Sequence, residues 1–316
     1  MSAPAPEAPA HWTGIQERGT AFGLRCALWT YRLLGAWALR FITEFIAAYF
    51  FLTGAAFRRA SRHYLQRLHV RGAWPRQPTA WDCYRHVRTF ALSYVDRFLA
   101  WMDAADVPVD FPESAAFEAR LASGTGALFI SAHLGNLDML RGLGASRGLK
   151  GLNAVIYSEH VARFQDLLKE INPRYNLDLI HITDVGPDTA MALEEKITRG
   201  EALFIVGDRS PASLNGRTLK VPFLGGEAEF PIGPLFLAHL LQCPVYLFFC
   251  VREGGRYRIH LEPFADRFTL PREDREGALR EGLVRFARAV EARCEAAPLQ
   301  WFNFYDFWGD DAPRVP

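Results

Sequence analysis

ALFISAHLGNLD, residues 127–138, is the stretch on which the fold turns. Residues 127–132 are a continuous apolar run, the signature of a strand buried on both faces. His133 follows at once, Gly135 and Asn136 sit in a turn, and Asp138 opens a helical stretch. Four other runs share this texture: LNAVIY (152–157), LDLIHI (177–182), ALFIV (202–206) and PVYLFFCV (244–251). Helical patterns lie between them, such as 189–199, with Asp188 or Thr189 placed to cap its start and Gly200 its end. Strands alternating with helices predict an α/β fold with a mainly parallel central sheet flanked by helices. In such sheets ligands bind beyond the carboxyl ends of the strands, which is where His133 stands.

Composition narrows the functional classes. The chain has 316 residues, half of them hydrophobic, and 36 basic against 35 acidic residues, so neither a disordered chain nor a surface built for nucleic acid is expected. Five cysteines at 26, 83, 243, 250 and 294 form no C-x-x-C pair, and no cluster of metal ligands appears; neither a metal nor a bound cofactor is expected. No signal peptide pattern is visible in the Pro/Ala-rich opening.

Residues 1–18 read as a flexible tail, 19–115 as a helical region and 116–316 as the α/β domain. From Phe22 to Phe57 the helical region is apolar and aromatic, interrupted by Arg25, Arg32, Arg40 and Glu44. The longest uncharged run, 45–57, is shorter than the roughly 20 residues that span a bilayer. Spacings of 7 and 8 place the three arginines on one helical stripe, with Leu28, Trp29, Phe41 and Phe45 on other faces, a pattern suited to the membrane interface or to covering a soluble core. Arg58, Arg59, Arg62, Arg67, Arg71 and Arg76 then follow in a stretch without Asp or Glu, in outline an electrostatic anchor for an anionic membrane surface. The same patch would attract an acidic protein, and 32 arginines against 4 lysines lower the weight of any arginine count.

The chemistry is expected at H-x-x-x-x-D. On one continuous helix a spacing of five turns the side chains about 140° apart; with His133 on the loop and Asp138 in the first helical turn they can face each other. Asp138 would hold one imidazole nitrogen protonated and aimed, leaving the other as a general base. Without a serine, the nucleophile would be the substrate's own hydroxyl or amine.

These residues resemble bacterial acyltransferases of the lipid A lauroyl/myristoyl type, within the glycerolipid or lysophospholipid acyltransferase group marked by H-x-x-x-x-[D/E]. HLGNLD is similar to that family's HLGNWE. NAVIYSEHVARFQDLL, GDRSP with the following GRTLKVPFLGGEAEFPIGPLFLAHLLQCPVYLFF, and APLQWFNFYDFW resemble its later blocks. ERGTAFGLR, FRRASRHYLQRL and YRHVRTFALSYVDRFLAW look like a subgroup associated with aryl-polyene and related lipid clusters. The resemblance implies His133 as base and Asp138 as its orienter, with backbone donors at Gly135 and Asn136 meeting the oxyanion. It puts Asp208 and Arg209 in the substrate site, Arg209 suited to a phosphate or carboxylate. It also implies acyl carrier protein or coenzyme A thioesters as donors, a membrane lipid as acceptor, and the cytoplasmic face of the bacterial inner membrane. Two departures stand out. Ser158 follows Tyr157 where the family usually has arginine, passing a phosphate-holding role to Arg163, and Tyr305-Asp306-Phe307 replaces a closing basic pair.

Other signals carry less. Gly144-x-Ser146-x-Gly148 matches a hydrolase nucleophile elbow but follows a helical pattern instead of a strand, and a dinucleotide fingerprint over Gly142, Gly144 and Gly148 lacks its strand too. His160, His181, His239 and His260 read as structural. The aromatics of 301–308 are either core or the wall of an acyl-chain groove. A lipid- or carrier-binding protein with a degenerate site and a thioester or ester hydrolase are the alternative functions.

Overall fold

A computed structural model describes residues 21–102, 108–139, 151–156, 177–181, 187–209 and 217–309. The five apolar runs form strands β2 (Ala127–Ser131), β3 (Leu152–Ile156), β4 (Leu177–His181), β5 (Ala202–Val206) and β8 (Val245–Glu253). With β1 (Val109–Asp110) and β9 (Arg256–Ala265) they make a seven-stranded sheet of order β1-β9-β8-β2-β5-β3-β4. The run from β8 to β4 is parallel, β9 returns antiparallel to β8, and β1 lies parallel to β9. Continuous apolarity has its cause in position: β2 is central, all five of its residues are buried, and it pairs with β5 from Ala127↔Ala202 to Ser131↔Val206.

Alternate residues of these strands feed two cores. Ala127 and Phe129 face one side with Phe117, Phe248 and Ile259, where Phe129 stacks between Phe204 and Tyr246. Leu128 and Ile130 face the other with α7 (Gly233–Leu241), α8 (Arg275–Ala296) and the hairpin β6 (Thr218–Phe223)–β7 (Gly226–Pro231). In α8 the buried Leu279, Leu283, Phe286, Val290 and Cys294 recur at three- and four-residue steps, and Asp274 caps its start through the Gly277 amide at 2.9 Å. Between them come α5 (Ser114–Ala122) and α6 (Pro187–Thr198), the latter ending near Gly200 at φ 79°.

The N-terminal helices are α1 (Ala21–Leu34), α2 (Ala36–Thr53), α3 (Ala55–Val70) and α4 (Ala80–Trp101). Gly35, at φ 81°, divides α1 from α2, so the expected single stripe of Arg25, Arg32 and Arg40 does not form. Arg40 turns to Asp96 of α4 at 2.9 Å, and Glu44 receives Arg88 Nε at 2.6 Å. Charges that interrupt the sequence pattern are thus taken up between α2 and α4. Its 18 residues, with mean hydropathy 1.3, are long and apolar enough to cross a membrane by length and composition. Trp37, Phe41, Phe45, Tyr49 and Leu52 are 58–73% exposed on its outer side.

The basic block is only partly available. Arg67 is buried with its guanidinium over the Trp308 ring, Arg71 pairs with Glu291 and Glu295, and Arg76 binds Asp82 within the capping box that starts α4. Arg59 and Arg62 remain exposed on α3. Tyr64, Leu65 and Leu68 of α3 share the core of the sheet, so the helical region and the α/β part pack as one body of side chains.

Candidate active site

His133 leaves the carboxyl end of β2 and Asp208 leaves that of the neighbouring β5, tied together by the Gly207 amide donating to Ser131 O at 2.8 Å. This sheet register, not the five-residue spacing, sets the contact of the imidazole. His133 Nδ1 lies 2.6 Å from Asp208 Oδ1, and the His133 amide donates to both carboxylate oxygens at 3.0 Å. A carboxylate is acceptor only, so Nδ1 carries the proton and Nε2 keeps its lone pair. The Asp208 side chain has no exposed surface, whereas that of His133 is 34% exposed. Burial, followed by the charge of Arg209, moves the His133 pKa below its ordinary value against the upward pull of Asp208. The hydrogen bonds and charge of His133 bring the carboxyl of Asp208 below the usual carboxylate range despite its burial.

The expected partner Asp138 is engaged elsewhere. Its Oδ2 lies 2.6 Å from Arg97 Nε and its Oδ1 accepts from Trp101 Nε1 at 3.3 Å, both on α4. The expected backbone oxyanion donors are engaged too: the Gly135 amide donates to Gln300 O at 2.8 Å and the Asn136 amide to Cys250 O at 2.7 Å. Asn136 also donates its side-chain amide to Ser93 O at 3.1 Å. Both residues build the loop instead of facing a substrate. A Cβ on Gly135, which sits at φ 70°, would lie 1.8 Å from Cys250 O, so only glycine fits there.

Arg209 donates Nε to Asn303 Oδ1 at 2.5 Å and Nη2 to Phe302 O at 2.7 Å. It is fixed in the wall beside His133 and is not a salt-bridge partner of Asp208. Arg163, Ser158 and the Gly144–Gly148 elbow lie outside the described residues, as do His160 and the tail 1–18. His239 accepts from the Leu270 amide at 3.2 Å, and His260 lies 2.9 Å from Glu253 Oε1.

Sequence reasoning missed the contribution of Trp301 and Asn303. Trp301 Nε1 and Asn303 Nδ2 both donate to Asp208 Oδ2, at 3.2 and 2.8 Å. The segment also forms a bridge from Trp301 to Leu134, and the Phe302 amide donates to His133 O at 2.8 Å. Of the two readings of these aromatics, core is the one their burial fits: Trp301, Phe302, Phe304, Phe307 and Trp308 are all buried. His86 anchors the same segment, Nε2 donating to Trp301 O at 2.8 Å and Nδ1 accepting from Ser61 at 3.0 Å. The one available signal was the polar Asn303 inside an aromatic run. Among the described residues, no three His, Cys, Asp or Glu gather as a metal site. A groove of about 590 Å³ is lined by residues including Arg71, Pro222, Glu227 and Glu291, and not by His133.

A partly exposed imidazole backed by a buried carboxylate at the carboxyl edge of a parallel sheet is a group equipped for proton transfer to and from a bound nucleophile. Residues 16–309 match the model of the bacterial lipid A biosynthesis acyltransferases, and the chain belongs to that family. The family places it among acyltransferases of lipid biosynthesis, acting on a lipid acceptor with an acyl donor. Comparison with curated proteins gives no significant match.

Proposed function

We propose that the chain moves a fatty or aryl-polyene acyl group from an acyl carrier protein or coenzyme A thioester to a hydroxyl or amine of a membrane lipid, with His133 as general base. The observation that carries this reading is the 2.6 Å contact of His133 Nδ1 with Asp208. As the acceptor oxygen or nitrogen attacks the thioester carbonyl carbon, Nε2 takes its proton. The C–S bond of the tetrahedral intermediate then breaks, and Nε2 returns the proton to the leaving thiolate, giving ester or amide plus thiol. Asp208 orients the ring and stabilises the imidazolium formed between the two steps. No cofactor enters this scheme. A depressed His133 pKa keeps the base neutral at physiological pH.

The exposed aromatic side of α2 supports attachment to a membrane, and the reading puts that attachment at the cytoplasmic face of the bacterial inner membrane. The two ion pairs to α4 favour a helix lying in the interface, held to the body by its polar side. Lipid mass spectrometry on a deletion strain complemented with wild type, His133→Ala or Asp208→Asn tests the reading. A species heavier by one acyl group, present with wild type and lost with both variants, is expected. Full restoration by His133→Ala would replace the transferase by a lipid- or carrier-binding protein.

A further inference from the structure

We infer that the cleft between α4 and the carboxyl end of β8 binds the phosphate headgroup of a membrane lipid through Arg88 and Arg252. The cleft holds about 170 Å³, room for several water molecules or one phosphate group, and Arg88, Thr89, Asp96, Gly135, Arg252 and Phe302 are among the residues that line it. It reaches the loop that follows His133, at Gly135, but His133 itself does not line it.

Asp96 is the buried centre of the arrangement. Its side chain is 3% exposed; Oδ1 accepts from Arg40 Nη2 at 2.9 Å, and Oδ2 from Arg252 Nη1 at 3.1 Å and the Tyr257 hydroxyl at 2.9 Å. Glu44 likewise takes Arg88, through Nε at 2.6 Å and through Nη2. Both carboxylates are thus engaged in aiming guanidiniums, and the three arginines exceed the two acids by one positive charge. Donors are left over. Arg88 Nη1 and Arg252 Nε and Nη2 have no hydrogen-bond partner among the described residues, and the two side chains are 42% and 43% exposed. The hydroxyls of Thr89 and Ser93 are turned to Arg85 O and Phe90 O of their own helix. Unused N–H groups of two guanidiniums on one cleft call for an anion with oxygens enough to face both, which a phosphate has and a carboxylate lacks. The surroundings favour a lipid as its source. Arg40 and Glu44, which complete the two ion pairs, lie on α2, and each is followed at once by an exposed aromatic, Phe41 at 58% and Phe45 at 63%. The cations therefore stand at the margin of an apolar surface, an arrangement that accepts charged headgroup and acyl chain together.

The test titrates the full chain with dioctanoyl-phosphatidic acid by isothermal titration calorimetry, beside dioctanoylglycerol and inorganic phosphate. Phosphatidic acid is expected to bind at least about tenfold more tightly than either, since one control lacks the charge and the other the apolar chains. Arg252→Gln is expected to weaken that binding about tenfold or more, and Arg59→Gln, an exposed cation of α3 that does not line the cleft, to leave it unchanged. Because Arg252→Gln also frees Asp96, a variant that breaks no ion pair decides if it melts early: Thr89→Glu places a carboxylate in the cleft and should abolish binding with the melting temperature kept. Wild-type affinity in Thr89→Glu, equal losses in the Arg59 and Arg252 variants, or no binding at all overturns the site. Inorganic phosphate binding as tightly as the lipid overturns the lipid as its occupant. His133→Ala is expected to bind like wild type, so failure of the acyl-transfer reading leaves this site standing.

Discussion

His133 and Asp208 stand 75 residues apart in the chain and 2.6 Å apart in space, joined because β2 and β5 are neighbours in the sheet. Asp208 accepts from the ring and amide of His133, from Trp301 and from Asn303, so base, sheet and C-terminal segment converge on it.

Asp208→Asn is expected to reduce kcat by about 10³ to 10⁴-fold, the scale seen when the orienting carboxylate of a comparable histidine becomes an amide. The amide presents a donor to Nδ1 or to the His133 amide and favours the wrong tautomer. Steady-state kinetics beside circular dichroism check it: a folded Asp208→Asn with more than a tenth of wild-type kcat would assign the orientation elsewhere.

The pH profile follows from the direction of the His133 shift. The base works when neutral, so kcat/KM rises with pH through a midpoint below the ordinary histidine value and is level at neutrality. Arg209→Met removes a charge that opposes protonation, and the rising limb moves to higher pH. A limb that stays in place would remove Arg209 from the electrostatics of the base.

His86 offers a stability test away from the reaction. Burial lowers its pKa from 6.5 to about 4. Below pH 6.5 the unfolded chain therefore binds a proton that the folded chain refuses, and stability falls as pH drops from about 6.5 to about 4, by up to about 3 kcal/mol. Above 6.5 this dependence is absent. Melting temperatures across that window should decline more steeply for wild type than for His86→Gln; parallel curves would contradict the assignment.

Membrane attachment is checked by sedimentation with vesicles containing anionic lipid. Replacing Phe41 and Phe45 together by Ser removes two large exposed side chains, each worth about 1.5–3 kcal/mol when buried, so binding should weaken at least about 100-fold with the fold intact. Unchanged sedimentation would place the attachment outside α2.

Gly135→Ala should fail as a folded protein or lose the site, since its Cβ would meet Cys250 O at 1.8 Å. Gly309→Ala, where no atom lies within 4 Å, is the control for left-handed backbone strain alone. Equal melting temperatures for the two variants would show that the loop gives way.

Much of this architecture was legible in the amino-acid order. Strands buried on both faces announce themselves by unbroken apolarity, and 202–206 is reproduced residue for residue. The place of His133 at a strand end was legible because the apolar run 127–132 stops just before it. Its partner was not, because nearness in sequence favours Asp138 while the pairing of β2 with β5 is a property of the assembled sheet. Gly135 and Asn136 were read as donors because the chain that returns at Cys250 and Gln300 to engage their amides lies more than a hundred residues away. On α2, Arg40 and Glu44 looked like breaks in an apolar run because α4, which pairs with them, is invisible to periodicity.

The position of Trp301 and Asn303 sets an order of events during synthesis. A ribosome that has made Asp208 has still to add more than ninety residues before the groups that hold this carboxylate exist. Until then the apolar outer side of α2 is already present but the carboxylate behind His133 lacks two of its donors. Under the proposed function, a nascent chain would meet a lipid surface before its candidate base is complete, and the aromatic segment would be the last part of the site to arrive.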